Sequence, residues 1–413
     1  MLGHARLIRG GGIAKGIAMS VSLRAHKKPP VLTERPPFER VALLLQGGGA
    51  LGAYQAGVYQ ALAEANLHPD WVAGISIGAI NSALIAGNAP EHRVEKLRQF
   101  WETVSAPPKA NPFLPANLFA GIPLRTDGVH EVVNQTRALG TLLFGAPGFF
   151  TPRLVPPYLQ KPGSEGAISF YDVSPLTATL EKLVDFDRIN SLETRFSVGA
   201  TNVRTGNFIY FDNATHKIGP AHVMASGALP PGFPAIEIDG QHYWDGGLVS
   251  NTPLEWVLES CPRQDTLAFQ VDLWSATGDM PRNLTDSDVR QKEIRFSSRT
   301  RAATNDFKKA QMLRRAAAKL LAELPDNLKA TPEAQLLAAE ADEKVFNIIQ
   351  LIYRSRVYEG TSKDFEFSRL TMEEHWASGY ADAGRTLHYK QVLQRPKGLD
   401  GVFVFDLAHP ERK

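Results

Sequence analysis

VALLLQGGGALGAY at residues 41–54 and WVAGISIGAINSA at residues 71–83 each run from a short apolar strand through glycine into a helix. Val41 to Leu45 is continuously apolar, as expected of a strand covered on both faces. Ala50 to Asn66 has helical spacing, with Leu51, Tyr54, Val58, Leu62 and Ala65 along one side. Trp71 to Ile75 reads as a second strand and Ile77 to Gly87 as a second helix. Strand, glycine loop, helix, strand, sharp turn, helix is a βαβα unit. It predicts an α/β protein of three layers, α/β/α, with a mostly parallel central sheet.

The second stretch carries a candidate nucleophile. Gly74, Ser76 and Gly78 satisfy G-x-S-x-G, in which a serine sits on a strained strand-to-helix turn. The strained backbone leaves no room for side chains two residues to either side, and glycine tolerates that crowding. The first stretch admits two readings. Gly47, Gly49 and Gly52 literally satisfy the dinucleotide fingerprint G-x-G-x-x-G, and Asp70 follows Gly52 by 18 residues. A ribose-binding acid, however, belongs at the end of the second strand, and Asp70 precedes that strand. In the other reading the amides of Gly47, Gly48 and Gly49 form an oxyanion hole at a helix N-terminus, aimed at a carbonyl held by Ser76. Adjacent parallel strands would bring both turns to one sheet edge.

A serine hydrolase needs a base. The histidines downstream of Ser76 are His92, His130, His216, His222, His242, His375, His388 and His409, and none sits in a setting that marks it as that base. His242 is the best of them, but it alternates within an expected hairpin. The better candidate is Asp245 in HYWDGGLVSNTP, residues 242–253, which ends an apolar strand and precedes Gly246 and Gly247. Asp-Gly-Gly is also an ordinary turn sequence, so on the residues alone both readings stand.

In order along the chain, GGGALG at 47–52, GISIG at 74–78 and DGG at 245–247 resemble the patatin-like phospholipase family of lipid acyl hydrolases. ASGALPPGFP at 225–234 resembles the stretch that family carries upstream of its aspartate. The resemblance covers roughly Val41 to Leu273. It implies a Ser–Asp dyad without histidine, with Ser76 as nucleophile, Asp245 as base and the Gly47 to Gly49 amides as oxyanion hole. The expected substrate is a lipid or phospholipid ester, cleaved through an acyl-enzyme without cofactor or metal. Many members carry Arg or Lys directly before the last glycine of the loop, where this chain has Leu51, which removes a possible cationic contact to a head group. The C-terminal part is similar to an uncharacterised extension seen on some bacterial members. A non-catalytic lipid-binding module and a dinucleotide-binding protein are the alternatives.

The remainder of the chain bounds this reading. With 413 residues, 43% of them hydrophobic, a formal net charge of +2 and one cysteine, the composition is that of a globular protein without a disulfide framework. It fits a cytoplasmic location, possible peripheral membrane contact and no nucleic-acid binding. No run approaches the roughly 18 to 20 apolar residues of a membrane-spanning helix. Three regions are expected: a basic, flexible extension at 1–38, a catalytic domain at 39–275 and a mainly helical extension at 276–413. Within the catalytic domain, residues 105–165 are apolar and show no clear periodicity. They are a candidate lid or acyl channel, with Phe113, Phe119, Leu143, Phe144, Phe149 and Phe150 as its wall. Phe296 to Leu324 reads as a basic amphipathic helix carrying Arg299, Arg301, Lys308, Lys309, Arg314, Arg315 and Lys319, either packed on the core or lying on an anionic membrane.

Overall fold

All six residues of strand β1 (Arg40–Leu45) are buried, because β1 lies inside a nine-stranded sheet with helices on both faces. The computed structural model describes residues 28–107, 127–355, 357–398 and 400–407. After β1 come α1 (Ala53–Glu64), β2 (Trp71–Gly74), α2 (Ile77–Ala86), α3 (Arg93–Val104) and α4 (Asp127–Phe144). A two-stranded ribbon of β3 (Thr151–Pro152) and β4 (Tyr171–Asp172) precedes α5 (Ser174–Leu183) and α6 (Phe186–Asn190). Then follow β5 (Arg195–Asn202), β6 (Phe208–Asp212), α7 (Pro220–Ser226), β7 (Ile236–Ile238), β8 (Gln241–Asp245), α8 (Leu254–Leu258) and β9 (Thr266–Asp272). The chain ends with α9 (Leu284–Glu323), α10 (Asp326–Lys329), α11 (Pro332–Glu340), β10 (Phe346–Ile352), α12 (Arg369–Leu387) and β11 (Val402–Phe405).

The sheet runs β11-β10-β9-β1-β2-β5-β8-β7, with β6 also paired to β5. From β11 to β5 every pairing is parallel, while β6, β7 and β8 pair antiparallel. The alternation of β1 builds two cores. Val41, Leu43 and Leu45 join the cluster with α1, α2 and α3, whereas Ala42 and Leu44 join that of α8 and Phe307 of α9.

One register detail brings distant residues together. β6 occupies one edge of β5, pairing Ser197 to Thr201. The other edge is shared: β2 pairs up to Gly74↔Val198, and β8 begins at Asp245↔Ala200. The C-terminal ends of β2 and β8 therefore meet head to head about two residues apart, roughly 7 Å along β5.

The division expected at residues 275/276 falls inside this sheet. The C-terminal part is helical in α9, α11 and α12, and it also supplies β10 and β11, which extend the parallel sheet beyond β9. α9 covers one face, and α12 lies on α1. The α1–α12 approach is close enough that a β-carbon on Gly379 would lie 2.0 Å from the Tyr54 carbonyl oxygen. Several basic residues of α9 are engaged within the chain. Arg314 forms a two-pronged pair with Glu259 at 2.7 and 3.0 Å, Arg315 donates to the Lys344 carbonyl, and Lys308 lies 3.6 Å from Asp400.

Residues 105–165 contain more regular structure than their sequence suggested. α4 occupies 127–144 and packs against the turn at Val357–Ser362, so its partner lies far along the chain. Phe113 and Phe119 lie outside the described residues. Leu143 and Phe144 are exposed, while Phe149 and Phe150 are buried. Residues 1–27 of the expected N-terminal extension also lie outside the described residues. Among the described residues no helix is long and apolar enough to cross a membrane.

Candidate active site

Ser76 follows β2 as the residue preceding α2, with φ 56° and ψ −123°, a conformation that costs a side-chain-bearing residue about 1–3 kcal/mol. Its neighbours Ile75 and Ile77 are buried, and each contributes about 1.5–3 kcal/mol, enough to hold the turn. The Ser76 N–H donates to the Ser226 hydroxyl at 3.0 Å and to the Ser226 carbonyl at 3.1 Å. A β-carbon on Gly74 would lie 2.2 Å from the Gly78 carbonyl oxygen, and one on Gly78 would lie 2.2 Å from that of Leu45. Gly52 and Gly246 are likewise close-packed, the former against Ile77 and the latter against Gly199.

The head-to-head arrangement on β5 brings Asp245 to Ser76. The Asp245 carboxylate is 2% exposed, shares the cavity with Ser76 and accepts the Gly247 N–H at 2.7 Å. Burial pushes its pKa up to about 6, against the pull of the nearby Ser76 hydroxyl and the Gly247 hydrogen bond. An ordinary aspartate is a poor base near neutrality, and desolvation moves this one toward the useful range.

The three loop glycines differ in role. The Gly47 N–H donates to the Asn251 carbonyl at 3.3 Å, so it serves the loop's own anchoring. The Gly47 carbonyl accepts from the Asn251 side-chain amide at 3.1 Å and the Trp274 indole at 3.0 Å. Gly48 and Gly49 are partly exposed to the pocket, and among the described residues their N–H groups have no acceptor. Gly49 has φ +57°, which favours glycine. Leu51 is fully buried.

Gly47, Gly48, Gly49, Ser76, Asp245 and Gly247 all line one cavity of about 320 Å³. Gly52, Gly74, Gly78 and Gly246 are not among its lining residues. The wall is mostly apolar: Phe149, Phe150, Tyr171 and Phe233 form a cluster of aromatic rings 4.8–6.1 Å apart, closed by Phe367. Among the described residues no histidine lines it. His242 is exposed and pairs with Glu237 at 3.9 Å.

Sequence reading missed several residues here. Asn251 has a weak signal, standing six residues after Asp245 in the same stretch. Gln46 adjoins the glycine run, and its buried side chain accepts from the Leu273 and Trp274 N–H groups, tying the ends of β1 and β9. Phe296, Asp364, Phe365 and Phe367 line the pocket from the C-terminal part, and nothing local to them announces it.

The pocket, with Ser76 on its strained turn, the buried Asp245 and two open glycine amides, sits on a three-layer α/β/α sheet with a mostly parallel centre. The chain belongs to the patatin-like phospholipase family, whose family model matches residues 43–258, just over half its length. That family implies a lipid ester hydrolase. A second family model, described as patatin phospholipase, matches residues 294–399. A stretch of 49 residues is 53% identical to lysophospholipase nte1 of Aspergillus terreus, covering 12% of this chain and 3% of that protein. Among solved structures, VipD of Legionella pneumophila aligns at 15% identity and TM-score 0.35, covering 94% of this chain and 77% of VipD. ExoU in complex with SpcU from Pseudomonas aeruginosa aligns at 17% identity and TM-score 0.26, covering 74% of this chain and 60% of that one.

Proposed function

We propose that this chain hydrolyses carboxylic esters of lipids, of the phospholipase A or esterase type, by acyl transfer to Ser76. The observation that carries the reading is the meeting of Ser76 and the buried Asp245 in one apolar cavity, beside two glycine amides with no acceptor among the described residues. Asp245 takes the hydroxyl proton as Ser76 Oγ attacks the ester carbonyl. The Gly48 and Gly49 N–H groups hold the oxyanion, each donor supplying about 2.7–4 kcal/mol of transition-state stabilisation. Asp245 returns the proton to the leaving alkoxide, and the alcohol departs. Water deprotonated by Asp245 then attacks the acyl-enzyme, releasing the fatty acid and restoring Ser76. The aromatic wall receives the acyl chain, and the protein meets its substrate at a lipid surface without spanning it.

A fluorophosphonate probe is the test. Wild-type protein reacts at Ser76, Ser76→Ala does not, and Asp245→Asn reacts at least about a hundredfold more slowly. A wild-type protein that neither labels nor hydrolyses p-nitrophenyl butyrate would be a lipid-binding module instead.

A further inference from the structure

The glycine loop is tied at both ends, and the downstream tie comes from the C-terminal part. At the upstream end the Gly47 carbonyl is held by Asn251 and Trp274. At the downstream end the Ala50 N–H donates to the Asp364 carbonyl at 2.8 Å, and the Ala50 carbonyl faces His375 Nδ1 at 3.4 Å. The Asp364 carbonyl oxygen sits 2.1 Å from where a β-carbon of Gly49 would be. Between the two ties lie the Gly48 and Gly49 amides.

We propose that residues 362–367 form a strap that sets the direction of those two amides, with Lys363 as its positioning residue; this rests on the oxyanion-hole reading above. Lys363 is 3% exposed, and its ammonium donates to Glu293 of α9 at 2.7 Å and to the Ser355 hydroxyl at 2.9 Å. It also stands 5.1 Å from the centre of the Trp274 ring, the same indole that holds the Gly47 carbonyl. One buried cation thus touches the upstream anchor of the loop, while the next residue along the chain provides the downstream one. Lys292 of α9 adds a second fixing, 3.1 Å from both Asp364 carboxylate oxygens. Desolvation makes a buried ion pair an ineffective source of stability, and apolar residues of similar volume would often serve the fold equally well. A pair whose geometry aims a neighbouring carbonyl is placed where only its direction matters.

Lys363→Met and Lys292→Met test the strap by two readouts: hydrogen exchange of peptides covering residues 46–52, and steady-state hydrolysis of soluble p-nitrophenyl butyrate. For Lys363→Met the loop amides are expected to exchange at least about tenfold faster, with kcat down about tenfold or more and KM within about twofold, because the donors act on the transition state. Lys292→Met breaks only a half-exposed pair, keeps the fold and lowers kcat about two- to fivefold. If Lys363→Met does not fold, Lys292→Met decides. Unchanged loop exchange in the folded variant overturns the strap, and faster exchange with unchanged kcat overturns its positioning role. Exchange needs no turnover, so a wild-type protein without esterase activity would sink the functional reading while the strap is still judged.

Discussion

Residues 40–86 and residues 284–405 both reach one pocket, by different routes. The first region does so through local sterics. Its strands run into glycine at or just past their ends, its serine is forced to a positive φ, and each feature leaves a mark within a few residues. The second region does so through packing across long separations. Phe367 meets Phe149, and Asp364 meets Ala50, with no mark in the surrounding sequence. Chemistry written as a motif and chemistry supplied by a distant wall can thus share one cavity, and substitution separates them.

The largest effect belongs to the first region. Ser76→Ala is expected to lower kcat/KM for p-nitrophenyl butyrate by at least about a thousandfold, with the circular dichroism spectrum and Tm retained. Retained activity would remove Ser76 from the mechanism and leave its strained turn without a function.

The second region's largest effect is on stability. A side chain at Gly379 must displace the Tyr54 carbonyl, so Gly379→Val overpacks the α1–α12 contact by at least about 2–3 kcal/mol. In a chain of this size that lowers Tm by about 5 °C or more, readable by calorimetry. An unchanged Tm would mean that α12 is a detachable cover rather than part of the core.

This asymmetry fixes how much could be read in advance. Gly74, Ser76 and Gly78 were legible because steric exclusion around a strained serine acts over two residues, whereas Asp245 stood out only through the family resemblance, its Asp-Gly-Gly being an ordinary turn sequence. The parallel order of β1 and β2 followed from the helix between them. The place of β10 in the sheet was not legible. Parallel pairing depends on which edge remains open, and β9 lies about 80 residues upstream with α9, α10 and α11 intervening. That the Gly47 N–H is already bonded while those of Gly48 and Gly49 have no acceptor among the described residues was hidden for the same reason, since Asn251 comes from another turn.

The Asp245 pKa gives a third, smaller contrast. As base, its protonation below about pH 6 should make kcat/KM fall about tenfold per pH unit on the acid limb. Stability should run the other way. The folded pKa is raised above the ordinary aspartate value of 3.8, so the buried group is most favourable below that value and loses stability as pH climbs through about 6. The difference is worth about 3 kcal/mol. Asp245→Asn should accordingly raise Tm at pH 8, with a gain that shrinks toward pH 4. A gain that persists unchanged at pH 4 would show that charge burial is not its cause.

The smallest effect asks whether the distant wall touches substrate at all. Phe367 is 7% exposed, edge-on to Phe149 at 5.8 Å and stacked on Trp101 at 6.5 Å. Phe367→Ala removes that surface from the pocket and leaves the Asp364–Ala50 and Lys363–Glu293 contacts of the strap in place. A butyryl ester is too short to need the wall, whereas an octanoyl or longer chain must lie along it. The ratio of kcat/KM for octanoyl over butyryl esters should therefore fall about three- to tenfold, the range expected when one or two methylenes of the acyl chain lose their apolar surroundings. An equal loss on both esters would mean that Phe367 supports the dyad rather than the acyl chain. The C-terminal part would then act on the chemistry alone, through the strap, and not on the choice of ester.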